Sequence, residues 1–334
     1  MVTLSIIVVN VKGKENLPRL MASLKKSTYK DFELIVVDNE TTLGDFKLVK
    51  IERDLGLAYC RNKGAEISSG RFLLFLDNDT EVMEDTIEKF IEFINKNPDF
   101  IVQLKLIKDD GRIDAAGGII DDLGYPLELF KGSIVADFIP PANILYAKGA
   151  AIGMSKDVFN MLHGFDNEYF YGYDETDFCL RAVKKGKKVV FLSSAVVIHH
   201  EHGSFSKLSK EREKRLTYYL ESRRLYFVFK NFNYKFLLPR IHKIFFYFIG
   251  SIFMDIFHRK KNYLSISRIK ALIWFISKLY KIIIIRLKDR KNYLFDEIQL
   301  MREGLIIQHS DLVKRSIILP NSEKSSSNNE NIFQ

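Results

Sequence analysis

Gly70 is followed by Arg71–Phe72–Leu73–Leu74–Phe75–Leu76–Asp77–Asn78–Asp79, where five consecutive apolar side chains run into two carboxylates one residue apart. An unbroken apolar run of this length fits a strand covered on both faces, as in a parallel sheet. Ligands of open α/β sheets sit beyond the carboxyl ends of the strands, which is where Asp77 and Asp79 would project. Two carboxylates that close repel each other unless a cation lies between them. Hard oxygen ligands favour Mg²⁺ or Mn²⁺. The competing reading is an ordinary strand-to-loop junction with solvated acids.

Upstream, Thr3–Val9 reads as a first strand, and Glu15–Lys26 as a helix with Leu17, Leu20, Met21 and Leu24 at helical spacing. Phe32–Val37 is a second buried strand ending at Asp38–Asn39, and Lys47–Ile51 a weaker third. Gly56 opens a helix over Leu57–Ser68 that carries Arg61. Downstream, Met83–Asn95 is amphipathic, Ile101–Ile107 and Leu145–Met154 read as strands, and Ile113–Pro141 reads as irregular loops that shape a site. The alternation predicts an α/β chain with a Rossmann-like, mainly parallel sheet flanked by helices. There is no GxGxxG and no Walker loop, so dinucleotide-binding and P-loop readings have no support. An acid at a strand end, such as Asp38, suits a ribose hydroxyl or base edge, with a plain turn as the alternative.

A second acidic cluster is Tyr173–Asp174–Glu175–Thr176–Asp177, leading into Phe178–Lys185. Acids in a first helical turn cap free N–H groups, and Asp174 as N-cap with Asp177 three residues on is close to a capping box. Three carboxylates in four residues exceed what capping needs, and the aromatic neighbours could desolvate one and raise its pKa. The β-rich segments Lys188–Phe191 and Ala195–Ile198 then run into His199–His200–Glu201–His202–Gly203–Ser204. Three histidines in four residues point to a ligand or phosphate contact and lack the spacing of a structural zinc site.

Cys60 and Cys179 stand alone, which suits a reducing, cytosolic setting. Met1–Val11 lacks a basic flank and a cleavage site, and reads as a strand rather than an export signal. The net charge of +9 is unevenly placed: Lys207–Lys291 holds 22 Lys and Arg against 5 Asp and Glu, and the remainder 29 against 37. An acidic half and a basic half imply different electrostatic roles.

From Leu4 to about Lys230 the chain resembles the family 2 glycosyltransferases of GT-A fold, in particular their rhamnosyltransferase-like, non-processive branch. The resemblance rests on Ser5–Ile6–Ile7–Val8–Val9–Asn10, Leu34–Ile35–Val36–Val37–Asp38–Asn39, Leu55–Gly56–Leu57–Ala58 with Arg61–Asn62–Lys63–Gly64, and Phe75–Leu76–Asp77–Asn78–Asp79. It continues through Gly164–Phe165–Asp166, Asp177–Phe178–Cys179–Leu180–Arg181, and His199 with Gly203–Ser204. It implies inverting transfer of a sugar from a nucleotide-diphosphate donor to a hydroxyl. By position it implies that Asp38, Asn39, Arg61 and Asp77 bind the donor, and that Asp77, Asp79 and His199 hold Mg²⁺ or Mn²⁺, with His200 as the fallback. The family's Glu-Asp pair is replaced by Asp174–Glu175, which makes Glu175 the general base and Asp174 the live alternative. The QxxRW-type motif of processive synthases is absent, since the only tryptophan is Trp274. A metal-dependent nucleotidyltransferase and a non-catalytic, membrane-associated nucleotide-binding protein are the rival readings.

Glu211–Lys230 reads as a helix packing Tyr218, Tyr219, Leu220, Leu225, Tyr226 and Phe227 against the catalytic part. Ile241–Phe257 is apolar but shorter than the ~20 residues of a spanning helix. Leu272–Ile285 carries Lys278 and Lys281 and is followed by further bases. Apolar faces flanked by Lys and Arg fit helices lying in an anionic membrane interface, with a soluble bundle or homodimer interface as the alternative. No nucleic-acid module occurs, and the acidic half argues against that partner. The expected organisation is a catalytic domain over 1–205, a linking helix over 206–235, a basic amphipathic helical region over 236–312 and a disordered tail over 313–334. With a glycan acceptor on a lipid carrier, the expected location is the cytoplasmic face of the cell membrane.

Overall fold

The computed structural model describes residues 2–11, 15–39, 44–135, 143–200, 209–289 and 293–311. Along the chain come β1 (Leu4–Val9), α1 (Leu17–Lys26), β2 (Phe32–Asp38), β3 (Lys47–Lys50), α2 (Leu57–Glu66), β4 (Phe72–Asp77), β5 (Thr80–Val82), α3 (Thr86–Lys96) and β6 (Phe100–Ile107). There follow β7 (Ile113–Ala115), β8 (Gly118–Asp121), β9 (Pro126–Glu128), β10 (Ala151–Ser155), α4 (Lys156–Met161), α5 (Asp174–Lys184) and β11 (Lys188–His199). The last third holds α6 (Lys210–Asn231), α7 (Tyr234–Leu237), α8 (Ile241–Phe253), α9 (Asn262–Asp289), α10 (Glu297–Arg302) and β12 (Ile306–Ile307).

Among the described residues the main sheet runs β3-β2-β1-β4-β10-β6-β11-β5, with β7 also paired to β6. The first four strands are parallel, as are β6 and β11. β10 lies antiparallel between β4 and β6, and β5 antiparallel on β11, so the second half of the sheet is mixed. Both faces are covered, which is why the strands read as unbroken apolar runs. Leu4, Ile6, Val8, Phe72, Leu74 and Leu76 pack with α1 and α3, while Ile7, Leu73 and Phe75 point to the opposite face, toward α2, α4 and α5. Each such fully buried side chain contributes roughly 1.5–3 kcal/mol against exposure.

Several local expectations are corrected. Residues 113–128 are not irregular: they form three short strands, and β8 is flanked by β9 and β12 in a small second sheet. Within Leu145–Met154 only the end is strand, because the chain first turns at Gly149–Ala150. The helix expected from Met83 begins at Thr86, since Thr80–Val82 pairs with β11. β11 is one strand with a bulge between Leu192 and Val196. Asp174 is not the N-cap of α5: Tyr173 occupies that place in the left-handed region, at φ 69°, and its side chain makes no capping hydrogen bond.

The C-terminal third is bound to the rest rather than appended. Leu225, Tyr226 and Phe227 of α6 are fully buried, whereas Leu220, expected to pack, is exposed. Arg223 lies 3.9 Å above the Trp274 ring of α9. Lys278 and Lys281, read from the sequence as interface cations, pair with Glu168 at 2.9 Å. β12 extends the small sheet through β8, so the region after 236 is not wholly helical. The helical run through α7 and α8 spans Tyr234–His258, 25 residues, and by length and composition is sufficient to cross a membrane; the shorter stretch read from the sequence is not.

Candidate active site

Four strand ends and one helix start converge at one edge of the sheet. Parallel pairing puts Val9 beside Asp77 and Val37 beside Val9, so the residues after β1, β2 and β4 emerge together. Asn10, fully buried, ties them: its Nδ2 donates to Asp38 Oδ2 at 2.9 Å, and its Oδ1 accepts from Asn78 Nδ2 at 2.9 Å. Asp38 is fully buried and Asn39 half-buried beside it.

Beyond β4, Asp77, Asp79 and His199 each offer a ligand atom, all within 4.8 Å of one another. β5 creates this meeting, because Thr80 pairs with His199 across the antiparallel β5–β11 contact. His199 Nε2 lies 3.3 Å from Asp79 Oδ1, and its Nδ1 lies 2.8 Å from Asp114 Oδ2. Burial alone would lower the imidazole pKa, but Asp114, then Asp79 and Asp77, push it up to about 10. Asp114, fully buried, is held well below the usual carboxylate range: burial pushes upward, and His199 with Lys148 outweighs it. His200 points elsewhere, with Nδ1 2.5 Å from Asp109 and Nε2 3.2 Å from Glu81, so the fallback ligand stands outside the cluster.

The donor set fits a divalent cation. Two carboxylates and one imidazole suit Mn²⁺ or Mg²⁺. A His199 whose Nδ1–H is held by Asp114 would present Nε2 as the ligating atom once a cation displaces the proton there, the usual carboxylate–histidine arrangement behind a metal.

Arg61 connects this cluster to α5. Its guanidinium is buried and donates to Asp174 Oδ2 at 2.8 Å, to Asp77 Oδ1 at 3.3 Å and to the Gly149 carbonyl at 3.0 Å. Gly149 is the residue that permits this: a Cβ there would lie 2.6 Å from the guanidinium. The next carboxylate, Glu175, accepts from Gly149 N at 3.4 Å and remains partly exposed, whereas Asp174 is buried. Burial, then repulsion from Glu175, drives the Asp174 pKa well up against the pull of Arg61. For Glu175 burial also pushes upward, but the hydrogen bond with Asp174 and the charge of Arg61 prevail and hold it down.

All eight residues singled out from the sequence thus lie around one sheet edge, linked through Asn10, Arg61 and the carboxylate cluster. Gly203–Ser204 lies outside the described residues. Asp114 and Lys148 were not anticipated. Lys148 Nζ reaches Asp114 at 2.8 Å and Glu128 at 3.3 Å, extending the charged chain to the small sheet. Nothing in the local sequence joins Asp114 to a histidine 85 positions away; the short apolar alternation around it was the available signal. A cavity of about 510 Å³ opens next to this edge, bordered by Val9, Gly56, Cys60, Phe170, Arg212 and Tyr219.

Residues 5–160 match the family model described as Glycosyl transferase family 2. The chain is 27% identical over 220 residues to the O-antigen biosynthesis protein RfbC of Myxococcus xanthus, covering 59% of this chain but 17% of that protein. It is 22% identical over 225 residues to the amylovoran biosynthesis glycosyltransferase AmsB of Erwinia amylovora, covering 60% of this chain and 70% of the relative. Among solved structures, GalNAc-T7 with UDP, GalNAc and Mn²⁺ aligns with a TM-score of 0.51 and 16% identity over 77% of this chain and 58% of that one. The mannosyltransferase PcManGT of Pyrobaculum calidifontis, in complex with GDP-Man and Mn²⁺, aligns at 0.50 and 11% identity over 83% and 88%. The fold is that of the GT-A glycosyltransferases.

Proposed function

Starting from a chain that carries a glycosyl transferase family 2 domain over residues 5–160, we propose that it moves a sugar from a nucleotide-diphosphate donor to a hydroxyl of a glycan, with inversion, in cell-surface polysaccharide assembly. The acceptor is lipid-linked, and the protein works at the cytoplasmic face of the membrane. The observation that carries this reading is the Arg61 bridge between Asp77 and Asp174, which joins the carboxylate cluster to α5. The names of the relatives, O-antigen and amylovoran biosynthesis, support the polysaccharide context.

Asp38 and Asn39 bind the base and ribose, at the edge shared by β1 and β2. Asp77, Asp79 and His199 would hold Mn²⁺ or Mg²⁺, which when bound supplies positive charge to the departing diphosphate. Arg61 keeps Asp77 oriented while staying cationic itself: burial opposes its charge, and Asp174 and Asp77 more than restore it. Glu175 accepts the proton of the attacking acceptor hydroxyl, a role that typically contributes ~10²–10⁴-fold. Its lowered pKa keeps it ready as a base, and Asp174, buried and bound to Arg61, anchors its neighbour. Direct attack from the face opposite the leaving group inverts the anomeric carbon.

The test is a screen of nucleotide sugars with Mn²⁺ or Mg²⁺, reading nucleoside diphosphate release and thermal shift. Diphosphate release with one donor supports the reading. Release of sugar 1-phosphate instead, from attack at the α-phosphorus, would make the protein a nucleotidyltransferase.

A further inference from the structure

Helix α9 is apolar on two opposite sides. One side, with Leu264, Ala271, Phe275 and Ile282, is buried as the helix lies along α6. The other carries Ile266, Ile269, Ile273, Ile276, Ile283 and Leu287, with Tyr280 filling the remaining place, and all seven are 47–77% exposed. Their spacing alternates three and four residues without a break, which makes one continuous stripe along the helix. α8 adds a stripe of its own through Phe246, Ile249, Phe253 and, in the turn beyond, Phe257. Surface of this kind, rimmed by polar groups, marks an interaction site rather than ordinary exposure.

Charge identifies the occupant. Between Tyr234 and Lys288 the sole acid is Asp255, against twelve Lys and Arg. Asp255 is buried and neutralised by Arg259 and Arg268, at 2.7 and 2.8 Å. Lys243, Lys270 and Lys288 stand exposed beside the stripes. A second copy of the chain would bring cations against cations. An anionic lipid surface meets both properties.

The geometry points to α8 and α9 lying flat in the interface of a bilayer containing anionic lipid, with the stripe from Ile266 to Leu287 sunk among the acyl chains. This deepens the reading above by naming its membrane surface. Although Tyr234–His258 is long enough to span, Ile244 and Phe248 are buried against the protein. Its far end is locked by Asp255 to Arg268, which also pairs with Glu221 of α6. Crossing the membrane would carry that ionic cluster into hydrocarbon, where charges are strongly disfavoured. Lying in the interface leaves it in place.

The experiment is sedimentation of the full chain with vesicles of phosphatidylcholine alone or mixed with phosphatidylglycerol. Binding is read separately from sugar transfer, so either reading can fail alone. Wild type should pellet with the mixed vesicles and be released by salt. Ile273→Ser with Ile276→Ser should weaken pelleting by on the order of tenfold, with an unchanged melting temperature. Lys243→Glu with Lys270→Glu should remove the preference for phosphatidylglycerol. Wild type that stays in the supernatant with both vesicles overturns the inference. So does a dimer in solution that Ile276→Ser dissociates, because a second copy would then cover the stripe.

Discussion

Asp114 Oδ2 lies 2.8 Å from His199 Nδ1 and, on its other side, 2.8 Å from Lys148 Nζ. One buried carboxylate thus sets the orientation of the imidazole whose opposite nitrogen faces Asp79. Replacing Asp114 by Asn should lower Mn²⁺ affinity about 10–100-fold. Calorimetric titration of the protein without donor measures this, and thermal melting verifies that the variant is folded. Unchanged affinity would mean that Asp114 serves packing alone.

Glu175→Gln should reduce transfer by ~10²–10⁴-fold while leaving the donor-induced thermal shift intact. Asp174→Asn should instead weaken stability, because it loosens the buried pair with Arg61. Near-normal turnover in Glu175→Gln, together with lost turnover in a folded Asp174→Asn, would move the base by one residue.

Gly56→Ala should lower stability by about 3 kcal/mol. Gly56 has φ 90°, and a Cβ there would sit 2.6 Å from the Phe170 backbone. Because Gly56 starts the helix that carries Arg61, transfer should fall with it. Chemical denaturation and initial rates on the same preparation compare the two effects.

Glu33 predicts an acid-sensitive contribution to stability. Ser5 Oγ, Ser69 N and Ser69 Oγ donate to its Oε1, and Lys47 pairs with Oε2. Burial opposes the charge, but these partners, Lys47 foremost, hold the pKa at about 2 against an ordinary 4.5. A pKa depressed on folding stabilises above the unfolded value and is lost as pH falls through the folded one. Glu33→Gln should therefore be less stable by on the order of 1 kcal/mol near neutrality. The gap should close between pH 4.5 and 2, as followed by urea midpoints across that range.

Legibility followed local signal. β1, β2 and β4 were plain because burial on both faces leaves an unbroken apolar run, and Asp38, Asp77 and Asp79 were plain because they end such runs. β7 to β9 were hidden: they are three to four residues long and set among Gly117, Gly118, Gly124 and Pro126, so their apolar runs are too short to stand out. This holds even though β7 pairs with nearby β6 and β8 with β9, and among the described strands only β12 reaches β8 from far along the chain. The antiparallel β10 was blurred by the turn before it. Asp114 was invisible because its partners are brought to it by tertiary structure. The lysines of α9 show the converse error, since a base on an apolar helix reads as solvent- or lipid-facing until Glu168 is found opposite.

The clamp that Lys278 and Lys281 place on Glu168 has a practical consequence for anyone shortening this protein. Glu168 sits in the loop that leads to Asp174, and Tyr226, Lys230 and Trp274 fasten the same neighbourhood from α6 and α9. Cutting the chain after α6 to obtain a tidy enzymatic fragment would strip the brace from that loop and bare Phe275 and Ile282's former neighbours to water. The helices after residue 234 are a buttress, and a truncation that discards them should yield a fragment that is sticky, loosely built and poorly active.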